Sequence, residues 1–316
     1  MIDLAILPLF NNILIKMLPL YGVMAIGFLY GRLHRKAAEP LAFLQIYFIA
    51  PIVVAASLAN MEFQINYLWL PLVAFLGCSV VAVIAFFVFK KIWHDNRANL
   101  FSYACSGGNT GYFGVPVALI LFSPSSLGLF MMTIIGFTLF ENSFGYYLVA
   151  RGNFTARDSL KKLAKLPTGY AFILGVTLSA LGWHLPNFSK DIIRDFRGCY
   201  IILGALMIGL GLSRVEKFSL ESKLITVVFS LKFILWPLFA LALIACDLAF
   251  LHLFTPGIHQ MILLVAAVPL PANAIPYAMQ LNVQPERAST LVFLSTLFAL
   301  FYVPLVMILY RTLAGG

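Results

Sequence analysis

Two runs in this chain break a helix inside an apolar stretch, and each carries an asparagine at the break. The first reads Gly107-Gly108-Asn109-Thr110-Gly111-Tyr112-Phe113-Gly114-Val115-Pro116; the second reads Pro269-Leu270-Pro271-Ala272-Asn273-Ala274-Ile275-Pro276-Tyr277. Glycine lets the backbone unwind, and proline removes a donor from the helical ladder. Unwound backbone exposes helix-end amides with partial positive charge, which suits a carboxylate. An asparagine there can both donate and accept. Broken backbone survives at membrane depth only inside protein or beside a watery cavity, because an unpaired amide in hydrocarbon costs several kcal/mol. The pair of breaks predicts a site for a small anion, with Asn109, Thr110, Gly111, Pro116, Pro271, Asn273 and Pro276 as its candidate residues. The plainer alternatives are a kinked helix with a packing role, and an Asn273 side chain that satisfies its own exposed backbone.

Ionisable residues inside apolar spans are functional candidates on that ground, and two stand out. Glu141, with Asn142 beside it, reads either as a proton or coupling-ion site or as a structural carboxyl bonded to the freed backbone of the first break. Lys232 reads as a side chain that snorkels to the interface; the alternative is a charge partner for a substrate carboxylate. Cys78, Cys105, Cys199 and Cys246 have no CxxC spacing and read as buried reduced thiols. The five histidines lie near span ends without an i,i+4 pair, so no metal site is expected. Nucleotide and dinucleotide fingerprints are absent, and no cofactor is expected. Ser57, Ser79, Ser143, Ser213 and Ser230 can bond back to the preceding turn.

These residues must be positioned by membrane helices. The chain is 62% hydrophobic and only 10% charged, far below the roughly 25% of soluble domains. Ten spans are predicted, at 11–31, 40–60, 67–89, 98–122, 126–150, 168–186, 196–213, 222–250, 258–280 and 288–311. Alternate loops hold 15 of the 21 lysines and arginines, a membrane-orientation pattern rather than a nucleic-acid surface. The positive-inside rule puts those loops in the cytoplasm and both termini outside. The N-terminus lacks a basic region and a cleavage site, so the first span is expected to be retained. The longest loop, 151–167, divides the chain into five-span units 1–150 and 168–316. An odd number of spans per unit inverts the second, and broken span four then matches broken span nine. That is the layout of inverted-repeat transporters, with substrate at the breaks. Glycines 22, 27, 204, 209 and 211 are expected to permit close helix packing. Tyr67, Trp69, Trp93 and Trp183 are expected at the interfaces.

The breaks and their surroundings resemble the auxin efflux carrier family, whose bacterial members are related to the plant PIN-FORMED auxin exporters. Gly108-Asn109-Thr110-Gly111-x-x-Gly114-Val115-Pro116 resembles the family's span-four signature. Pro271, Ile275-Pro276 and Asn282-Val283-x-Pro285 resemble its span nine and the loop after it. Glu141-Asn142, Arg151-Gly152-Asn153-Phe154, Leu166-Pro167 and Pro51 resemble its bacterial branch. The resemblance implies an all-α polytopic fold of ten helices in two inverted five-helix repeats, with crossing broken helices four and nine and an elevator-like movement. It implies organic-anion substrates, auxin in plants and carboxylates such as malonate or malate in bacteria, and it maps the family's Asn and Pro positions onto Asn109, Pro116 and Pro276. A homodimer is implied by the resemblance alone. The plant members' acidic residue in span three has no counterpart, since 67–89 contains no Asp or Glu.

The expected function is therefore secondary transport of a small organic anion across the cell inner (plasma) membrane, with the lipid bilayer as solvent and no nucleic acid. Glu141 and Lys232 are the ion-coupling candidates. The rivals are an anion channel, a transporter-derived receptor, and an intramembrane enzyme. The last lacks any nucleophile-and-base spacing.

Overall fold

The computed structural model describes residues 2–34, 36–59, 69–122, 124–183, 186, 189–214 and 221–313. Tyr67 and His184 lie outside these residues. The regular structure of the described residues is helical, with no strand among them.

Helix α1 spans Ile2–Leu33, α2 Ala38–Ala59 and α3 Trp69–Ile92. Next come α4 (Arg97–Ser106), α5 (Val115–Leu121) and α6 (124–150). A short α7 (Ala156–Ala164) leads to α8 (Pro167–Ala180), α9 (Lys190–Ser213) and α10 (Ser222–Leu251). The chain closes with α11 (Pro256–Ala267), α12 (Ala274–Leu281) and α13 (Pro285–Leu313).

Among the described residues, five helices are long and apolar enough to cross a membrane: α2, α3, α9, α10 and the Pro285–Tyr310 part of α13. A sixth is reached if α7 and α8, bent by 49°, count as one. The stretches predicted as spans four and nine do not reach that length as continuous helices. Each is cut in two by its glycines and prolines, into α4 and α5 and into α11 and α12. Large apolar side chains such as Leu29, Phe43, Phe87, Ile173 and Phe250 point outward, as hydrocarbon solvent allows. Cys199 and Cys246 share that outer surface, whereas Cys78 and Cys105 are buried. The expectation of four buried thiols thus holds for two, because an apolar span position can face lipid as readily as protein.

Prolines shape the long helices. A proline cannot donate to the carbonyl four residues back and pushes it aside. A wider π turn, Leu231–Leu235, precedes Pro237 in α10. The Phe233 carbonyl freed by it accepts the Tyr302 hydroxyl of α13 at 2.6 Å. Gln45–Ile49 makes the same turn ahead of Pro51 in α2.

The helices sort by packing. α1 lies along α9 and α2 along α8, while α3 packs on α4 and α6, and α13 on α11 and α12. Glycine sets the first of these contacts. A Cβ on Gly27 would collide with the Leu206 carbonyl, and one on Gly209 with the Met24 carbonyl. Gly22 meets nothing within 4 Å and plays no such part. Ser79, Ser143 and Ser213 bond to the carbonyls of Phe75, Leu139 and Leu210, as expected of hydroxyls in spans.

At one end of the molecule the loops are tied together. Glu221 receives Arg97 on one carboxylate oxygen (2.9 Å) and Arg287 on the other. Asn153 donates to the carbonyls of Leu281 and Asn282, so two sequence motifs that lie far apart in the chain meet here. Asn282 ends α12 in the left-handed conformation (φ 54°) that asparagine tolerates better than most residues.

Candidate functional site

The last turn of α4 should leave unpaired carbonyls where the helix stops. Two side chains of α10 fill them. The Trp236 indole donates to the Cys105 carbonyl at 2.8 Å, and the Lys232 ammonium to the Gly107 carbonyl at 2.6 Å. A cation at a helix C-terminus also meets the negative end of the helix dipole. Lys232 is fully buried. The expectation that it snorkels to the interface is therefore corrected: a carbonyl at its own depth, opened by the break, supplies the partner that water would otherwise supply.

The break itself is built by the close approach of another backbone. A Cβ on Gly108 would lie 2.7 Å from Val268, and one on Gly107 3.0 Å from Pro271. Only glycines let the second break come this near. The Asn109 amide then donates to the Pro269 carbonyl at 2.9 Å. Asn109 also accepts Gly114 N–H on its own carbonyl at 2.9 Å, starting the π turn Thr110–Gly114 ahead of α5. Pro116 stands in the first turn of α5, where its missing N–H costs nothing. Asn109 and Thr110 are buried, while Gly111 is exposed with open space around it. Asn109 lines a small cavity with Tyr21, Phe113, Ile208 and Thr296.

The second break satisfies its backbone by tight turns, Ala274 N–H to Pro271 and Ile275 N–H to Ala272. Asn273 caps α12 by position, but its side chain reaches elsewhere. Its Nδ2 donates to Glu141 Oε2 at 2.8 Å, and its Oδ1 accepts the Tyr200 hydroxyl at 3.2 Å. The side chain does not serve its local backbone, as the plainer reading had it. Pro276 is buried in the first turn of α12. Beside it, Tyr277 donates to Asn142 Oδ1 at 3.1 Å.

Glu141 therefore bonds to the second break rather than to the backbone of the first. Its other oxygen, Oε1, lies 3.5 Å from where a Gly107 Cβ would stand, and Lys232 Nζ lies 3.4 Å from where a Gly108 Cβ would stand. A carboxyl and an ammonium thus flank the glycine pair, and no ion pair joins them among the described residues. Asn109 faces the cavity toward α1, α9 and α13, and Asn273 is held between α6 and α9.

Glu141, Lys232 and a third buried ionisable residue, Asp247, all sit in π turns, at Glu141–Gly145, Leu231–Leu235 and Asp247–Leu251. Such turns widen the helix and free backbone groups. Asp247 accepts the backbone N–H groups of Leu253 (2.8 Å) and Phe254 (3.2 Å) and lies 3.0 Å from His259 Nε2. Sequence reasoning passed over this pair. The signal was an acid close to the end of a span with a histidine 12 residues later. It also passed over Tyr200, Tyr277 and Tyr103. The last is fully buried, with a hydroxyl that makes no hydrogen bond to the described protein. No group of three metal-ligating side chains occurs among the described residues.

Comparison with known proteins points the same way as the geometry. A family described as membrane transport protein matches residues 151–307, about half of the chain. The uncharacterized transporter MJ1031 of Methanocaldococcus jannaschii is 26% identical over 226 residues, covering 68% of this chain and 72% of its own.

Proposed function

This chain is a multi-pass membrane transporter of the auxin efflux carrier family, and from that premise we propose that it carries a small organic anion through the crossing of its two broken helices. The observation that carries the reading is the main-chain bond from Asn109 to Pro269, which places both interruptions at one point. The substrate is a mono- or dicarboxylate such as malonate or malate, or an auxin-like acid. Asn109 orients it, with Thr110, Gly111 and Pro116 shaping the first break and Pro271, Asn273 and Pro276 the second. Lys232, the buried cation beside the glycine pair, offsets the anion's charge.

The transporter has ten spans in two inverted units, 1–150 and 168–316, joined by the basic segment 151–167. Reciprocal packing supports this reading: the first helix of one unit lies on the second helix of the other, as α1 on α9 and α8 on α2. Alternating access moves the crossing relative to these paired helices. The protein lies in the cell inner membrane with both termini outside, and functions as a homodimer.

The test is uptake of radiolabelled malonate by proteoliposomes, comparing wild type with Asn109→Ala. The substitution keeps the main-chain bond to Pro269 and removes only the side chain. Saturable uptake lost in the variant supports the reading. Uptake that Asn109→Ala leaves intact moves the substrate away from the first break. Saturable binding without flux makes the protein a receptor.

A further inference from the structure

Resting on the reading that an anion binds at the crossing, the hydrogen bonds around Asn273 carry a second step. An ionised carboxylate can only accept. Glu141 Oε2 therefore fixes which way the Asn273 amide faces: Nδ2 toward Glu141 at 2.8 Å, Oδ1 toward the Tyr200 hydroxyl at 3.2 Å. With the proton on Oε2, the oxygen that faces Asn273, the same contact has the opposite polarity: the O–H donates, and the atom it needs from Asn273 is the amide oxygen. A half-turn of the amide about its last bond exchanges oxygen for nitrogen without changing its shape. The Tyr200 hydroxyl adapts, since it accepts as well as donates.

We infer that a proton on Glu141 Oε2 turns the Asn273 amide over, so that its nitrogen faces α9, one N–H bonding Tyr200 and the other offered to the anion, only when that proton is aboard. One proton is taken up, no covalent bond beyond that O–H changes, and the proton leaves by the reverse step.

Charge supports the coupling. Lys232 and Glu141 flank Gly107 and Gly108 from two sides. With Glu141 ionised the two charges cancel. With Glu141 protonated the crossing carries one net positive charge, which a monocarboxylate balances. The other titratable groups acting on the carboxyl are the Cys78 thiol of α3 and the hydroxyls of Tyr103 of α4 and Tyr277 of α12, while the Tyr200 hydroxyl of α9 reaches it through Asn273. Lys232 of α10 is the charged group that acts on it. Glu141 is buried beside an aromatic cluster in which the Tyr103 ring lies tilted 5.7 Å from Tyr277 and stacks 6.2 Å from Phe140.

The experiment uses the full-length protein in lipid nanodiscs and reads the switch first without ligand. Infrared difference spectra on acidification should show the band of a protonated buried carboxyl, absent in Glu141→Gln. The side-chain amide resonance of Asn273 in ¹⁵N-asparagine-labelled protein, assigned by its loss in Asn273→Ala, should shift with the same midpoint. In Glu141→Gln, whose side-chain NH₂ donates as the protonated acid does, it should stay at the acid position throughout. Malonate affinity, measured by calorimetry, should weaken about tenfold per pH unit above that midpoint, the slope of a single linked proton. It should be independent of pH in Glu141→Gln. A carboxyl that never titrates, or one that titrates while the Asn273 resonance stays put, overturns the switch, and both are read on the wild-type protein, with the variants serving only for assignment. Malonate that binds with no pH dependence overturns its link to the substrate. If malonate binds at no pH, the substrate assignment fails, while the spectra still decide whether the amide turns.

Discussion

Asn109 donates its backbone amide to the carbonyl of Pro269, and the two interrupted helices are thereby joined main chain to main chain. No side-chain substitution at either residue removes that bond, provided position 109 keeps its N–H. The surrounding side chains can therefore be varied one at a time without undoing the crossing, and that makes the site open to mutational dissection.

Lys232→Met leaves the Gly107 carbonyl buried and unpaired. A lost hydrogen bond to a charged donor, with its acceptor stranded, costs about 1.5–3 kcal/mol. Thermal unfolding in detergent should show a clear fall in Tm. Trp236→Phe, which strands only the Cys105 carbonyl, should fall less. Equal or higher stability in Lys232→Met would mean that relief from burying the ammonium outweighs the bond.

Gly209→Ala forces α1 away from α9, because the new methyl collides with the Met24 carbonyl. Overpacking of this kind costs about 1–3 kcal/mol. Gly22→Ala in α1, with nothing within 4 Å, should instead be neutral or stabilising by up to about 1 kcal/mol through helix propensity. The contrast between the two variants, read by thermal unfolding, separates a close contact from mere helix composition.

Much of this was legible in the sequence, and the parts that were not share a cause. Glycine and proline announce themselves wherever they interrupt an apolar run, so both breaks could be located to the residue. The ionisable residues of the spans were equally visible as types. Their partners were not. Lys232 was read by its distance along the helix to the membrane surface, whereas its fate is set by a carbonyl lying sideways on another helix. Asp247 escaped because an acid close to a span end usually reaches water, and nothing in the local pattern says that two backbone amides and His259 enclose it. Tyr200 and Tyr277 carried no signal of their own, since a hydroxyl's partner depends on which helix lies opposite.

The Asp95 carboxyl gives a pH dependence outside the membrane. The Arg97 guanidinium, at 2.8 and 3.0 Å from its two oxygens, holds it below the usual carboxylate range. Its folded pKa lies under its unfolded one, so its contribution is complete above the unfolded carboxylate range and is lost as pH falls through the folded value. Tm should thus drop further on acidification in wild type than in Asp95→Asn. The difference should be small and should shrink in high salt, because the Asp95 carboxylate is exposed to solvent.

The four thiols should divide by burial. In detergent the native protein should accept a maleimide at Cys199 and Cys246 only, with Cys78 and Cys105 reacting after denaturation. Mass spectrometry of the labelled peptides reads this directly. Early labelling of Cys105 would mean that the seam between α4 and α10, where its thiol contacts the Val228 carbonyl at 3.7 Å, opens in the native state.

The bond from Lys232 to Gly107 also bears on how the chain is made. Synthesis runs from the N-terminus, so the broken end of α4, with its bare carbonyls, enters the bilayer well before α10 does. When the ribosome delivers Lys232 and Trp236, their acceptors are already waiting at the right depth. A charged helix that would be reluctant to insert alone finds its counterpart ahead of it. The first break should therefore serve as a receptacle during biogenesis. A chain permuted to deliver α10 before α4 should stall at insertion, even though it encodes the same final contacts.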